Sequence, residues 1–83
     1  MIAEQDHVAL FHSIHRVLAA EKALKEKGAD FLLIPAPREL SSACGLAIRF
    51  EKTKRCQIEA ILAEADLVPA ELFVRKGSGY LKL

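Results

Sequence analysis

Leu46-Ala47-Ile48-Arg49-Phe50-Glu51 is the stretch on which the fold turns. Its residues alternate, with Leu46, Ile48 and Phe50 on one face, which is the period of a half-buried β-strand. Immediately upstream, Ala29 to Ile34 is a near-continuous apolar run stopped by Pro35 and Pro37, and it reads as another strand. No helical pattern separates the two. Two consecutive strands therefore stand in the middle of the chain, and each is flanked outward by a helical segment.

On the amino side, His7-Val8-Ala9-Leu10-Phe11-His12-Ser13 reads as a first strand. Ser13 is a good N-cap for the segment after it, where Ile14, Val17, Leu18 and Leu24 form an apolar stripe at helical spacing. Gly28 ends that helix at the position past its cap, and Lys25 and Lys27 complement its last turn. On the carboxyl side, Thr53 caps a second helix with the stripe Ile58, Ile61, Leu62 and Ala65, broken by Asp66 to Pro69. Glu71 to Arg75 reads as a fourth strand. The helices are expected near residues 14–28 and 53–66.

The order β-α-β-β-α-β predicts an α+β, ferredoxin-like two-layer sandwich. Its four-stranded antiparallel sheet would carry both helices on one face. Residues 1–83 form a single domain on this reading, with a core of about 7–75 and a C-terminal tail of 76–83. The other sheet face is expected to be open and apolar, which favours a homo-oligomer, most simply a homodimer through that face or a strand edge.

Composition narrows the class. The chain has 83 residues, 28% of them charged and 52% hydrophobic, with a formal net charge of +1. A chain of this size buries only about 60% of its unfolded surface. The near-neutral balance gives no field suited to nucleic acid or an anionic membrane. No apolar run approaches the roughly 20 residues that span a bilayer, and the first residues do not resemble a signal peptide. A cytoplasmic setting with reduced thiols is expected.

Chemistry centres on Leu40-Ser41-Ser42-Ala43-Cys44-Gly45, a polar, Gly-terminated loop that carries a thiol among small residues. A structural cysteine usually sits inside an apolar segment instead. The predicted fold brings this loop to the sheet rim that also holds the first helix's amino end. Cys44, Arg38, Ser13, His12 and His15 would gather there. A helix amino terminus or a nearby cation lowers a thiol's pKa, and the thiolate is the reactive form. Ser41, Ser42 and the loop amides, Gly45 included, would stabilise an anionic sulfur, and His15 could assist as a base or hydrogen-bond donor.

His12, His15 and Cys44 lack an evident fourth ligand for zinc, so no metal is expected, and no cofactor motif stands out. Cys56 points away from the apolar stripe of its helix. A strand length separates it from Cys44, farther than a disulfide reaches.

Leu33-Ile34-Pro35-Ala36-Pro37-Arg38-Glu39-Leu40-Ser41-Ser42-Ala43-Cys44-Gly45-Leu46-Ala47-Ile48-Arg49-Phe50 resembles the signature of the putative selenium/sulfur carrier-like family of small bacterial and archaeal proteins. Phe11, Ser13, His15 and Ala20-Glu21-Lys22 extend the likeness, which covers about residues 7–75. The resemblance implies a carrier that holds sulfur or selenium on Cys44, as a persulfide or selenopersulfide, between donor and acceptor proteins. Cys56 and the tail have no part in it. The alternative is a small ferredoxin-like interaction or regulatory module without covalent chemistry. A true enzyme is the weakest reading, because no nucleophile, base and orienting group stand out together.

Overall fold

The computed structural model describes residues 3–40 and 45–83. Strands β1 (His7–Leu10), β2 (Leu32–Pro35), β3 (Leu46–Phe50), β4 (Glu71–Lys76) and β5 (Gly79–Lys82) form one sheet in the order β2-β3-β1-β4-β5. Every neighbouring pair is antiparallel. Helix α1 spans Ile14–Glu26, and α2 spans Arg55–Glu64 after a 3-10 turn at Lys52–Lys54. The α+β class and the antiparallel sheet are as the sequence predicts. The four-stranded count is not, because residues 76–83 are no tail. Lys76 and Gly79 pair across a two-residue turn at Gly77 and Ser78, with Gly77 at φ +57°, and β5 adds a fifth strand beside β4.

Local signals explain the helix ends. Ser13 Oγ accepts the Arg16 N–H at 3.2 Å, the expected N-cap. Past α1, Gly28 takes a left-handed φ of +70°, its N–H donates to Lys25 O, and the Ala29 N–H donates to Leu24 O, both at 3.0 Å. This is a Schellman closure, with Leu24 in the core cluster and Ala29 packed against that cluster. Helix α2 ends the same way with Asp66 in place of glycine: φ is +59°, and the Leu67 N–H donates to Leu62 O at 2.8 Å. Its start departs from expectation. The Lys54 N–H donates to Glu51 O and tightens a 3-10 turn, so Thr53 lies inside that turn and caps nothing.

Pro35 belongs to β2 and does not stop it. The Ala36 N–H donates to Gly45 O at 2.9 Å, which places Pro35 at a non-bonded position of the ladder on an edge strand. Its missing N–H then costs no bond.

Both helices pack on one face. Val17, Ala20 and Leu24 from α1 and Ile58 and Leu62 from α2 share one core with Ala9, Phe11, Ile48 and Phe50. The opposite face is not open, contrary to expectation. Val8 and Ala47 are fully buried there and Leu10 is 2% exposed, in a second cluster with Ile34 and Leu40. Ala36, Phe73 and Tyr80 pack against that cluster. Segment 36–40 folds back across the sheet, helped by a turn in which the Leu40 N–H donates to Pro37 O at 3.0 Å. Ala9 and Phe11 lie under the helices, and their neighbours Val8 and Leu10 take the second face.

Candidate functional site

The antiparallel register fixes what lies at each end of the sheet. Leu10, at the carboxyl end of β1, pairs with Ala47 of β3 and Glu71 of β4, and Pro35 of β2 pairs with Leu46. Gly45, the α1 cap Ser13 and the segment 36–40 therefore belong to one rim. Here the Leu10 carbonyl accepts the Ala70 N–H at 2.8 Å. Arg16 in the first turn of α1 donates from Nη2 to the carbonyl of Asp66 at 2.8 Å, tying the start of α1 to the end of α2. The carboxyl end of α2 thus meets the amino end of α1, as antiparallel helices require.

Cys44, Ser41 and Ser42, the centre of the expected chemistry, lie outside the described residues. Their flanks are well defined. Leu40 is 8% exposed and anchored in the second core cluster. Gly45 takes a left-handed φ of +74° with its carbonyl bonded to Ala36. That backbone conformation is strained for any residue with a Cβ, which explains a glycine next to the cysteine. Both ends of the cysteine segment are therefore fixed, one by apolar packing and one by a strand pair.

Of the expected constellation, the described residues Ser13 and His15 sit at the amino end of α1 on this rim. Ser13 is committed to capping α1, while His12 and His15 are exposed. Strand β1 ends at Leu10, and His12 lies beyond it. Arg38 is exposed, between Ala36 and Leu40, whose packing is on the face away from the helices. Its flanks are thus across the sheet from the core that α1 packs on.

Cys56 is exposed in the first turn of α2, at the Phe50 end of β3, whereas Gly45 precedes the other end. Five strand residues at about 3.4 Å each separate those ends, far more than a disulfide spans. Among the described residues no group of three or more His, Cys, Asp or Glu side chains is placed to hold a metal. No helix among them is long and apolar enough to cross a membrane.

Two residues unremarked in the sequence shape the opposite rim. Asp6 is 5% exposed, and its Oδ2 accepts both the Ala3 N–H and Arg49 Nε, each at 2.9 Å. His7 is 3% exposed, with its ring tilted 30° against Phe50 at 5.4 Å and Nδ1 at 3.1 Å from Gln5 O. Burial holds its pKa below the usual histidine value. A charged residue before a strand carries no local signal of such pairing. Leu40 did carry one, as a lone large apolar residue in a polar loop.

Comparison with known proteins adds two likenesses. Residues 6–74 match the profile of a family described as "Putative Se/S carrier protein-like". A protein of Aquifex aeolicus (strain VF5) named "Putative sulfur carrier protein" is 34% identical over 82 residues, covering 95% of this chain. The chain spans 41% of that relative's length. No solved structure matches significantly.

Proposed function

Because the chain belongs to the Se/S carrier protein-like family, we propose that it is a sulfur carrier that holds the atom on Cys44 for delivery to an acceptor. The observation that supports this reading is the extent of the family match, which runs through the whole loop from Pro35 to Gly45. The anchoring of that loop at Leu40 and Gly45 favours it as well, since a carrier must present its thiol at a fixed place while leaving it open to two partners.

The transfer is a sulfur exchange without net oxidation. The Cys44 thiolate attacks the outer sulfur of a persulfide on a donor protein. A new S–S bond forms on Cys44, the donor's S–S bond breaks, and the donor leaves as a thiolate. An acceptor nucleophile repeats the step on the Cys44 persulfide. Ser41, Ser42 and the Gly45 amide stabilise the anionic sulfur, the amino end of α1 and Arg38 favour the thiolate, and His15 moves a proton at the rim. Selenium would follow the same path from a selenopersulfide donor.

We read the first four strands and two helices as a ferredoxin-like unit, since β2-β3-β1-β4 is antiparallel with both helices on one face, and β5 extends it. With the second face covered, a homodimer retains its argument in edge strand β2, where Leu32 is 47% exposed. The reduced thiol that the chemistry needs fits a cytoplasmic setting. Incubation with a cysteine desulfurase and cysteine tests the function: a persulfide on Cys44 is expected, and its absence under conditions that load a known carrier would contradict it.

A further inference from the structure

The helix layer stops short of the last strand. Val74 on β4 is 6% exposed, while its cross-strand partner Leu81 on β5 is 54% exposed and Leu83 is 49% exposed. These side chains share the helix-side face, yet only the first of them is buried. Two adjoining cavities of about 230 and 260 Å³ occupy the step between α2 and the β4–β5 hairpin, with Arg55 and Leu83 lining both. The larger is walled by Lys52, Arg55 and Lys76 over Val74, Leu81 and Leu83 with no Asp or Glu side chain in its lining, whereas Glu59 and Glu71 line the smaller.

The main chain of β5 is open along the same line. Leu83 N–H donates to Leu72 O at 2.8 Å, and the register pairs Leu81 with Val74. In an antiparallel ladder this alternation turns the main-chain groups of Leu81 toward β4 and those of Tyr80 and Lys82 toward the open edge. Among the described residues no strand lies beyond β5 in the sheet order.

We propose that β5 is the docking edge for an extended, acidic and apolar segment of a partner protein, which adds as a sixth strand and seats its apolar side chains beside Leu81 and Leu83. Main-chain bonds to Tyr80 and Lys82 give the segment its register, and alternate side chains reach the groove. Charge selects the partner. Arg55 shares its charge with Glu59 at 3.3 Å, but Lys52 bonds only the neutral Gln5 at 3.2 Å, and Lys76 has no ion pair among the described residues. An acidic segment compensates this excess. A second copy of this chain does not, because pairing β5 with β5 brings two sets of Lys52 and Lys76 together, Lys82 being already paired with Glu71 at 3.1 Å. The surface is independent of the sulfur chemistry and stands whether or not Cys44 carries an atom.

The test is a titration of the uniformly labelled chain, followed by amide NMR, with a capped peptide alternating glutamate and valine. A lysine–valine peptide serves as the comparison. Shifts centred on Tyr80, Leu81, Lys82 and Leu83 are expected with the acidic peptide alone. They should fade with salt and require at least about fivefold more peptide in a Lys52→Glu/Lys76→Glu double variant. Both lysines are exposed, so an unchanged spectrum elsewhere in that variant confirms its fold. Absent shifts, shifts centred on another strand, or equal shifts with the lysine peptide overturn the proposal. So does movement of the same amides with protein concentration alone, which would make a second copy the occupant.

Discussion

Arg49 Nε donates to Asp6 Oδ2 at 2.9 Å, with the Arg49 side chain 16% and the Asp6 side chain 7% exposed. This pair joins the residue just before β1 to the penultimate residue of β3. The same carboxylate oxygen holds the Ala3 N–H, so one acid ties the amino-terminal segment to the sheet. Asp6→Ala removes both bonds and strands a largely buried guanidinium, at an expected cost of about 2–3 kcal/mol. Asp6→Asn keeps an acceptor and should lose less. Urea denaturation of the two variants measures the difference, and equal losses would show that the charge contributes nothing.

His7 gives stability a pH dependence. Burial chiefly lowers its pKa in the folded chain, with the Gln5 carbonyl opposing. The unfolded chain therefore binds the proton first as pH falls below the ordinary histidine value of about 6.5. Stability is full above that pH and is lost as pH falls from there toward the depressed folded value, where the loss levels off. His7→Gln should flatten this slope. Denaturation midpoints collected between neutral and mildly acidic pH check it.

The two anchors of the cysteine loop should behave differently. Leu40→Ala opens the second core cluster and is expected to cost about 2–3 kcal/mol, whereas Leu32→Ala, at an exposed edge, should cost less than about 0.5 kcal/mol. At Gly45 a Cβ meets nothing within 4 Å, but φ is +74°. Gly45→Ala should therefore cost about 1–2 kcal/mol through backbone strain alone. Thermal unfolding of the three variants orders them, and a silent Leu40→Ala would refute its anchoring role.

Cys56 is exposed on the first turn of α2, so Cys56→Ser should change stability by less than about 0.5 kcal/mol and leave sulfur loading intact. Calorimetry and a loading assay on the same sample test both halves of that expectation.

Much of this was legible in the residues themselves. Ser13 and Gly28 bracket α1 because a hydroxyl cap and a left-handed glycine satisfy orphan main-chain groups that any helix leaves. The alternation of Leu46, Ile48 and Phe50 identified β3 and its core face. The second face eluded the same reasoning, since burial by Leu40 depends on a loop folding back across the sheet, and periodicity carries no such information. Strand β5 was available in principle: Gly77-Ser78 between Phe73-Val74-Arg75 and Tyr80-Leu81-Lys82 is a two-residue hairpin signal. Two glycines near the end of the chain read more simply as a tail. The Asp6–Arg49 pair spans 43 positions, and no local pattern announces it.

The central claim concerns one sulfur atom. The intact chain, its Cys44→Ser variant and its Cys56→Ser variant would be incubated with a cysteine desulfurase and cysteine, alkylated, and analysed by peptide mass spectrometry. The account predicts one added sulfur on the Cys44 peptide in the intact chain and in Cys56→Ser, and none in Cys44→Ser. Sulfur on Cys56 alone, or equal loading of both thiols, would contradict it.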